Sequence, residues 1–147
     1  MKSKNNLVIT DIFSFEKKIK QELPLFIASI SAGFPSPADD YIDKKLDLNE
    51  FLIKHPSATF FVRVSGDSMI DAGIKNGDIL IVDRAIESTN GSIVIAIVNG
   101  ELTVKRIKKN NEKLYLMPEN SDFDTIEITP ETQFEVWGVV IHSIHSF

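Results

Sequence analysis

Ser68 and Lys105 are the two side chains whose types and settings could do covalent chemistry together. Ser68 sits in Gly66-Asp67-Ser68-Met69, directly after the apolar run Thr59-Phe60-Phe61-Val62-Arg63-Val64. Its hydroxyl is therefore expected on a tight turn at a strand end, where Gly66 allows another backbone to approach closely. Lys105 lies in a second apolar run, Leu102-Thr103-Val104-Lys105-Arg106-Ile107. A serine hydroxyl needs a base to become a nucleophile, and a lysine desolvated among apolar neighbours can be that base. Two plainer readings stand beside this one. Gly-Asp-Ser is a common turn sequence, and a strand lysine often guards an exposed edge.

The remaining candidates carry less. Asp67 and Asp71 look like a carboxylate pair, but turn chemistry explains them better. His142 and His145 share a strand-like run without further ligands, which makes a weak metal site, and no metal or other cofactor is expected. Lys108 and Lys109 read as solvated. Trp137 and the ten phenylalanines are expected in the core or in dimer contacts. Lys113-Leu114-Tyr115 and Trp137 do not make a stacking surface with a basic groove.

Composition narrows the class. The 147 residues suit one domain with a real core, and 43% apolar with 25% charged residues is ordinary for a globular protein. The net charge of −5 argues against a large sequence-independent DNA footprint, and no sequence-specific DNA binding is expected. There is no cysteine, hence no disulfide, thiol nucleophile or cysteine-held metal, which fits a reducing, cytoplasmic setting. The longest apolar runs, Ile93 to Val98 and Val136 to Ile141, are too short to span a membrane as helices. Lys17, Lys18 and Lys20 ahead of Leu23 to Ile30 and Ser31-Ala32 imitate a secretory signal. Asp11, Glu16, Glu22 and the brevity of the apolar segment argue against it.

Along the chain, residues 1–45 read as a flexible N-terminal arm and 46–147 as a β-rich domain. Leu7 to Thr10 is too short to assign, Phe13 to Leu23 has a mixed helical pattern, and Leu25 to Ile30 could be a strand. Ser31 to Ala38 holds two prolines and a glycine and favours extended, exposed backbone. It reads as a linker or, because a protease binds its substrate extended, as a cleavable loop. Asp47 to His55 reads as a short helix capped by Asp47, with Glu50 three residues on. Short strands follow: Thr59 to Val64, Asp78 to Asp83, Ser92 to Val98, Glu101 to Ile107, Lys113 to Met117, Thr125 to Thr129 and Phe134 to His145. Asn99-Gly100 between two of them is a hairpin signal. The pattern predicts a mainly β fold, a sandwich or barrel-like arrangement.

At this point the residues resemble a known family. Gly66-Asp67-Ser68-Met69 with Gly73, then Asn76-Gly77-Asp78-Ile79-Leu80-Ile81-Val82-Asp83, then Thr103-Val104-Lys105, look like the self-cleaving LexA/UmuD serine peptidases. Gly33-Phe34-Pro35-Ser36-Pro37-Ala38, Asp47-Leu48-Asn49, His55-Pro56-Ser57-Ala58-Thr59 and Gly138-Val139-Val140-Ile141-His142 look specifically like its UmuD branch. The resemblance covers roughly residues 25–145 and leaves 1 to about 8 outside. It implies a compact domain of short, strongly bent antiparallel strands. It implies Ser68 as nucleophile, Lys105 as general base, and the backbone N–H groups of Asp67 and Ser68 as oxyanion donors. The gap 105 − 68 = 37 positions fits the family's dyad. The Ala32-Gly33 bond, 68 − 32 = 36 positions before the serine, lies where the family cuts itself. Alanine stands where UmuD-like chains often have cysteine, and both are small. A linker of that length can extend about 120 Å, so cleavage within one chain or between two is equally open.

The same resemblance implies a role in SOS mutagenesis. The partners it implies are a second copy of the chain in a homodimer, a UmuC-like translesion polymerase subunit, and the RecA–single-stranded DNA filament as activator. No helix-turn-helix pattern is read ahead of the arm, so a transcriptional repressor is not expected. Two alternatives stay open. One is a non-cleaving interaction module of the same fold, and the other is a processing peptidase acting on other proteins. The expected absence of a membrane segment weighs against the second, and a scissile-looking bond in the chain's own arm weighs against the first.

Overall fold

The computed structural model describes residues 6–15, 23–26 and 42–147. The chain divides into two compact units, one of Met1–Phe15 with His55–Phe147 and one of Glu16–Lys54.

The larger unit is built on one eight-stranded sheet in which every neighbouring pair is antiparallel. Its first strand is β1 (Val8–Ser14), a segment that the sequence assigns to the arm. Phe13 and Ser14 are strand residues, so the helical reading of Phe13 to Leu23 does not hold at its start, and 16–22 lie outside the described residues.

In the smaller unit β2 (Leu23–Phe26) pairs with β3 (Ile42–Leu46) as a two-stranded sheet. A five-residue helix, α1 (Leu48–Leu52), follows. Asp47 caps it by accepting the N–H groups of Asn49 and Glu50, as a short acidic side chain does for the orphan amides of a first turn. The helix stops before the expected His55, because Ile53 is already extended.

From residue 59 the strands fall close to their expected positions. They are β4 (Thr59–Ser65), β5 (Ile79–Asp83), β6 (Ile93–Val98), β7 (Glu101–Asn110), β8 (Lys113–Met117), β9 (Ile126–Ile128) and β10 (Phe134–Ile144). The order across the sheet is β1-β4-β5-β10-β6-β7-β8-β9. The β6–β7 hairpin turns on Asn99-Gly100, both at positive φ, which is the backbone a two-residue turn with the strands' own twist requires.

The sheet curls so that both of its faces are filled. Leu7, Val62, Val64, Met69, Leu80, Val82, Ile95 and Val104 are buried together in one cluster. Val94, Ala96, Ile107, Leu116 and Val139 form a second. Neighbouring residues of β6 belong to different clusters. That is why Ile93 to Val98 reads as an unbroken apolar run rather than an alternating one. Trp137 packs against the first cluster, edge-on to Phe60 with ring centroids 6.5 Å apart. Among the described residues no helix is long and apolar enough to cross a membrane.

Candidate active site

The turn that carries Ser68 begins where β4 ends. Gly66 has φ 109°, a conformation that L side chains rarely adopt, and its N–H donates to Asn76 Oδ1 at 3.0 Å. Met69 is fully buried and anchors the turn from below. Burying such a side chain is worth about 2 kcal/mol. A single 3-10 turn, Ile70–Ala72, follows and closes on Gly73 at φ 88°.

Three hydrogen bonds from the loop after β8 hold this turn from the other side. Glu119 N–H donates to the Ser68 carbonyl at 2.8 Å, and the Glu119 carbonyl accepts from Asp71 N–H at 2.8 Å. Asn120 Nδ2 donates to the Asp67 carbonyl at 3.0 Å. Arg106 Nε binds the Glu119 carboxylate and ties the loop to β7. Fixing the Asp67 carbonyl fixes its peptide plane, and so the direction of the Ser68 N–H on the opposite side of that plane.

Lys105 comes from the middle of β7, on the side where Val94 pairs with it across β6. Its side chain is buried, at 2% exposure, and so is Ser68 at 0%. Lys105 Nζ lies 3.4 Å from Ser68 Oγ, 2.8 Å from Thr103 Oγ1, 3.1 Å from the Val104 carbonyl and 3.1 Å from Asn6 Oδ1. All four hydrogen-bond partners of the amine are neutral. Burial therefore acts without a carboxylate to oppose it and pushes the Lys105 pKa down to about 8. A neutral amine offers two N–H donors and one lone pair. Thr103 Oγ1 and the Val104 carbonyl can take the two donors, leaving the lone pair for the Ser68 hydroxyl. The spacing of 3.4 Å is long for a hydrogen bond and is of the kind that shortens when substrate fills a site.

The structure thus brings Ser68 and Lys105 together. It places the backbone of Asp67 and Ser68 in one braced turn. Ala32 and Gly33 lie outside the described residues. His145 holds Asp78, with Nδ1 2.6 Å from Oδ1, and among the described residues no group of three or more His, Cys, Asp or Glu could hold a metal ion. Lys108 and Lys109 are exposed. Four neighbours of the site are not read from the sequence as site residues: Thr103, Asn120, Asn6 and Leu7. Thr103 could have been found from its place two residues before Lys105, on the same face of a strand. The other three arrive through contacts distant in sequence. Beside the dyad lies a cleft of about 430 Å³, lined in part by Asn6, Leu7, Val98, Leu102, Thr103 and Ile126.

Comparison with known proteins agrees with this geometry. The Peptidase S24-like family matches residues 24–141, well over half of the chain. Protein MucA of Salmonella typhimurium is 48% identical over 123 residues, which cover 83% of this chain and 84% of MucA. Protein ImpA of Shigella flexneri is likewise 48% identical over 123 residues, with 83% of each chain covered. The LexA repressor of Colwellia psychrerythraea is 40% identical over 127 residues, covering 84% of this chain and 58% of the repressor. A curled antiparallel sheet with a serine turn facing a buried strand lysine, matched by these relatives over most of its length, makes the chain a UmuD-like member of the Peptidase S24-like family.

Proposed function

We propose that the chain is a serine peptidase that cuts itself between Ala32 and Gly33 with Ser68 as nucleophile and Lys105 as base. The observation that carries this is the buried amine 3.4 Å from the serine hydroxyl, with a pKa pushed down to about 8. At pH 7 about a tenth of such an amine is neutral, whereas an ordinary lysine has almost no neutral fraction there.

In the first step Ser68 Oγ attacks the Ala32 carbonyl carbon and its proton passes to Lys105 Nζ. The oxyanion that forms is held by the backbone N–H groups of Asp67 and Ser68. The C–N bond to Gly33 then breaks, and Lys105 returns the proton to the departing amine. Water, deprotonated by Lys105 Nζ, then attacks the ester carbon, the C–O bond to Ser68 breaks, and Lys105 returns the proton to Ser68 Oγ. Small residues on both sides of the bond let the backbone approach closely. A substrate tethered to its own catalyst gains a high effective concentration, which lets a modest dyad suffice.

The reading extends to the cell through the family resemblance. The arm within 1–45 carries the cut, and 46–147 carries the peptidase core. The shortened form beginning at Gly33 acts, as a homodimer, as the regulatory subunit of an error-prone UmuC-like translesion polymerase in SOS mutagenesis. The RecA–single-stranded DNA filament favours the docked arm and so stimulates cleavage. The setting is the cytoplasm.

Intact-mass spectrometry of the purified protein over time tests the core of this. Cleavage between Ala32 and Gly33, faster at alkaline pH and absent in Ser68→Ala and Lys105→Ala, is the expected result. A wild type that stays intact at every pH, with and without an activated RecA filament, would leave a non-cleaving interaction module instead. Cleavage that persists in Ser68→Ala would assign the cut to another protease.

A further inference from the structure

Strand β1 places the first described residues of the chain directly on the dyad. The Leu7 N–H donates to Ser68 Oγ at 3.1 Å, and Lys105 Nζ donates to Asn6 Oδ1 at 3.1 Å. Leu7 is 1% exposed and belongs to the core cluster that includes Met69 and Val104. The Asn6 carbonyl lies so close over Gly66 that a Cβ built there would be 2.0 Å from its oxygen. This backbone-on-backbone contact accounts for the glycine. The matched family span begins at residue 24, so β1 lies outside it.

We propose that Asn6-Leu7 is a built-in plug of the Ser68–Lys105 site, and that β1 must leave β4 before the arm can be cut. The inference rests on the reading of Ser68 and Lys105 as the catalytic pair. Three features argue that the segment blocks the site rather than serving as a substrate in it.

The first is direction. An amide N–H that points at Ser68 Oγ puts the oxygen near the peptide plane, on the side away from the Asn6 carbonyl oxygen. Attack requires the oxygen above the face of the carbonyl carbon, so the Asn6-Leu7 bond is held where it is not cut.

The second is proton count. The neutral amine has two N–H donors, which Thr103 Oγ1 and the Val104 carbonyl already match. Asn6 Oδ1 already accepts the Leu7 N–H at 3.0 Å and also lies 3.1 Å from Lys105 Nζ, where only the ammonium has a third donor to give it. The plug therefore favours the form of Lys105 that is unable to act as a base, while the Leu7 N–H, shared between Asn6 Oδ1 and Ser68 Oγ, faces the serine oxygen.

The third is that the strand is hydrogen-bonded in the sheet on one side only, to β4. β1 is the edge of the sheet, and apart from Ile9, which is half-buried, its residues Val8 to Ser14 are exposed. The Asp11–Arg63 ion pair, at 3.6 Å, is also exposed. Leu7 is the only buried side chain among the described residues 6–15. Its withdrawal would join the neighbouring cleft, which Leu7 itself lines, to the dyad and make room for an extended peptide.

The chain has no cysteine, so Ser68→Cys introduces a single thiol at the site. Labelling of that thiol by Ellman's reagent is to be compared with the double variant Ser68→Cys/Leu7→Asp in the full chain, with folding followed by Trp137 fluorescence. Slow labelling of the single variant and at least tenfold faster labelling of the folded double variant is expected. Equal rates would overturn the plug. The second arm keeps Ser68 and clamps the strand through Asp11→Cys/Arg63→Cys, residues that are partners across β1 and β4. Self-cleavage should stop when the clamp is oxidised and resume on reduction, and an oxidised clamp that cuts at the reduced rate would also overturn the plug. If neither the wild type nor the reduced clamp cuts, the self-cleavage reading fails, and thiol labelling still decides whether Asn6-Leu7 covers residue 68.

Discussion

Thr103 Oγ1 lies 2.8 Å from Lys105 Nζ, the shortest of the four hydrogen bonds around that amine. The two side chains leave β7 two residues apart and therefore on the same face. Thr103 thus receives the amine's strongest bond and sets the direction of its remaining valences, including the one that faces Ser68.

Thr103→Val removes this acceptor while keeping the shape. Losing an acceptor disfavours the charged amine, so the pH midpoint of self-cleavage should move below that of the wild type. Losing the orienting bond, worth about 1 kcal/mol to the neutral amine, should lower the plateau rate roughly fivefold. Thr103→Ser should restore both. A pH–rate profile of the three proteins checks this, and an unchanged midpoint in Thr103→Val would show that Thr103 does not govern the amine.

The pKa of Lys105 makes a second expectation with a defined sign. The native value is about 8, against an ordinary value of 10.5 in the unfolded chain. Between these two values the unfolded chain binds more protons than the native one, so stability must rise with pH across that window. Below it, both states hold the proton and the cost of burying the ammonium is fully present. Urea unfolding at pH 7, 9 and 10 should show this rise in wild type and a flatter profile in Lys105→Met. The self-cleavage rate follows the native value alone, so it should climb below pH 8 and level off above about pH 9.

Much of this was legible in local sequence. The turn at Gly66, the Asn99-Gly100 hairpin and strands β4 to β10 each follow from turn residues and apolar runs a few positions long. The pairing of Ser68 with Lys105 was suggested by residue types and by family spacing. β1 was not legible, because Val8 to Ser14 mixes apolar and polar residues without alternation, and its partner is β4, some fifty positions away. Separations of 61 and 99 positions hid Leu7 from Ser68 and Asn6 from Lys105. Asn120 was hidden differently: its side chain makes one bond to the backbone of Asp67, and a single polar residue in a loop announces no partner.

Asn120→Ala tests that bond. It removes the donor to the Asp67 carbonyl while Glu119 N–H still holds Ser68. The expected loss of stability is about 1 kcal/mol. The turn that aims the Asp67 and Ser68 amides becomes looser, so self-cleavage should slow several-fold at every pH with its midpoint unmoved. A shifted midpoint would mean that Asn120 acts on Lys105 instead.

Asp78 offers a test of the support beneath the turn. Burial alone would raise its carboxyl, but the Lys75 N–H, His145 and Ser143 outweigh it and hold the pKa below the usual carboxylate range. Their distances are 2.8, 2.6 and 2.9 Å. The carboxylate thereby fixes the Lys75–Asp78 turn, whose Asn76 Oδ1 takes the Gly66 N–H. With a depressed native pKa, the stabilisation is complete above the ordinary carboxylate value of 3.8 and is lost as pH falls from there through the native value. Asp78→Asn should therefore cost about 1–3 kcal/mol at pH 7. The gap from wild type should shrink when both are unfolded by urea at progressively lower pH, down to about pH 2. Because Asn76 loses its footing, self-cleavage at pH 8 should slow as well. A gap that stays constant down to the lowest pH would mean that the carboxylate's charge contributes nothing, and that the turn is held by shape alone.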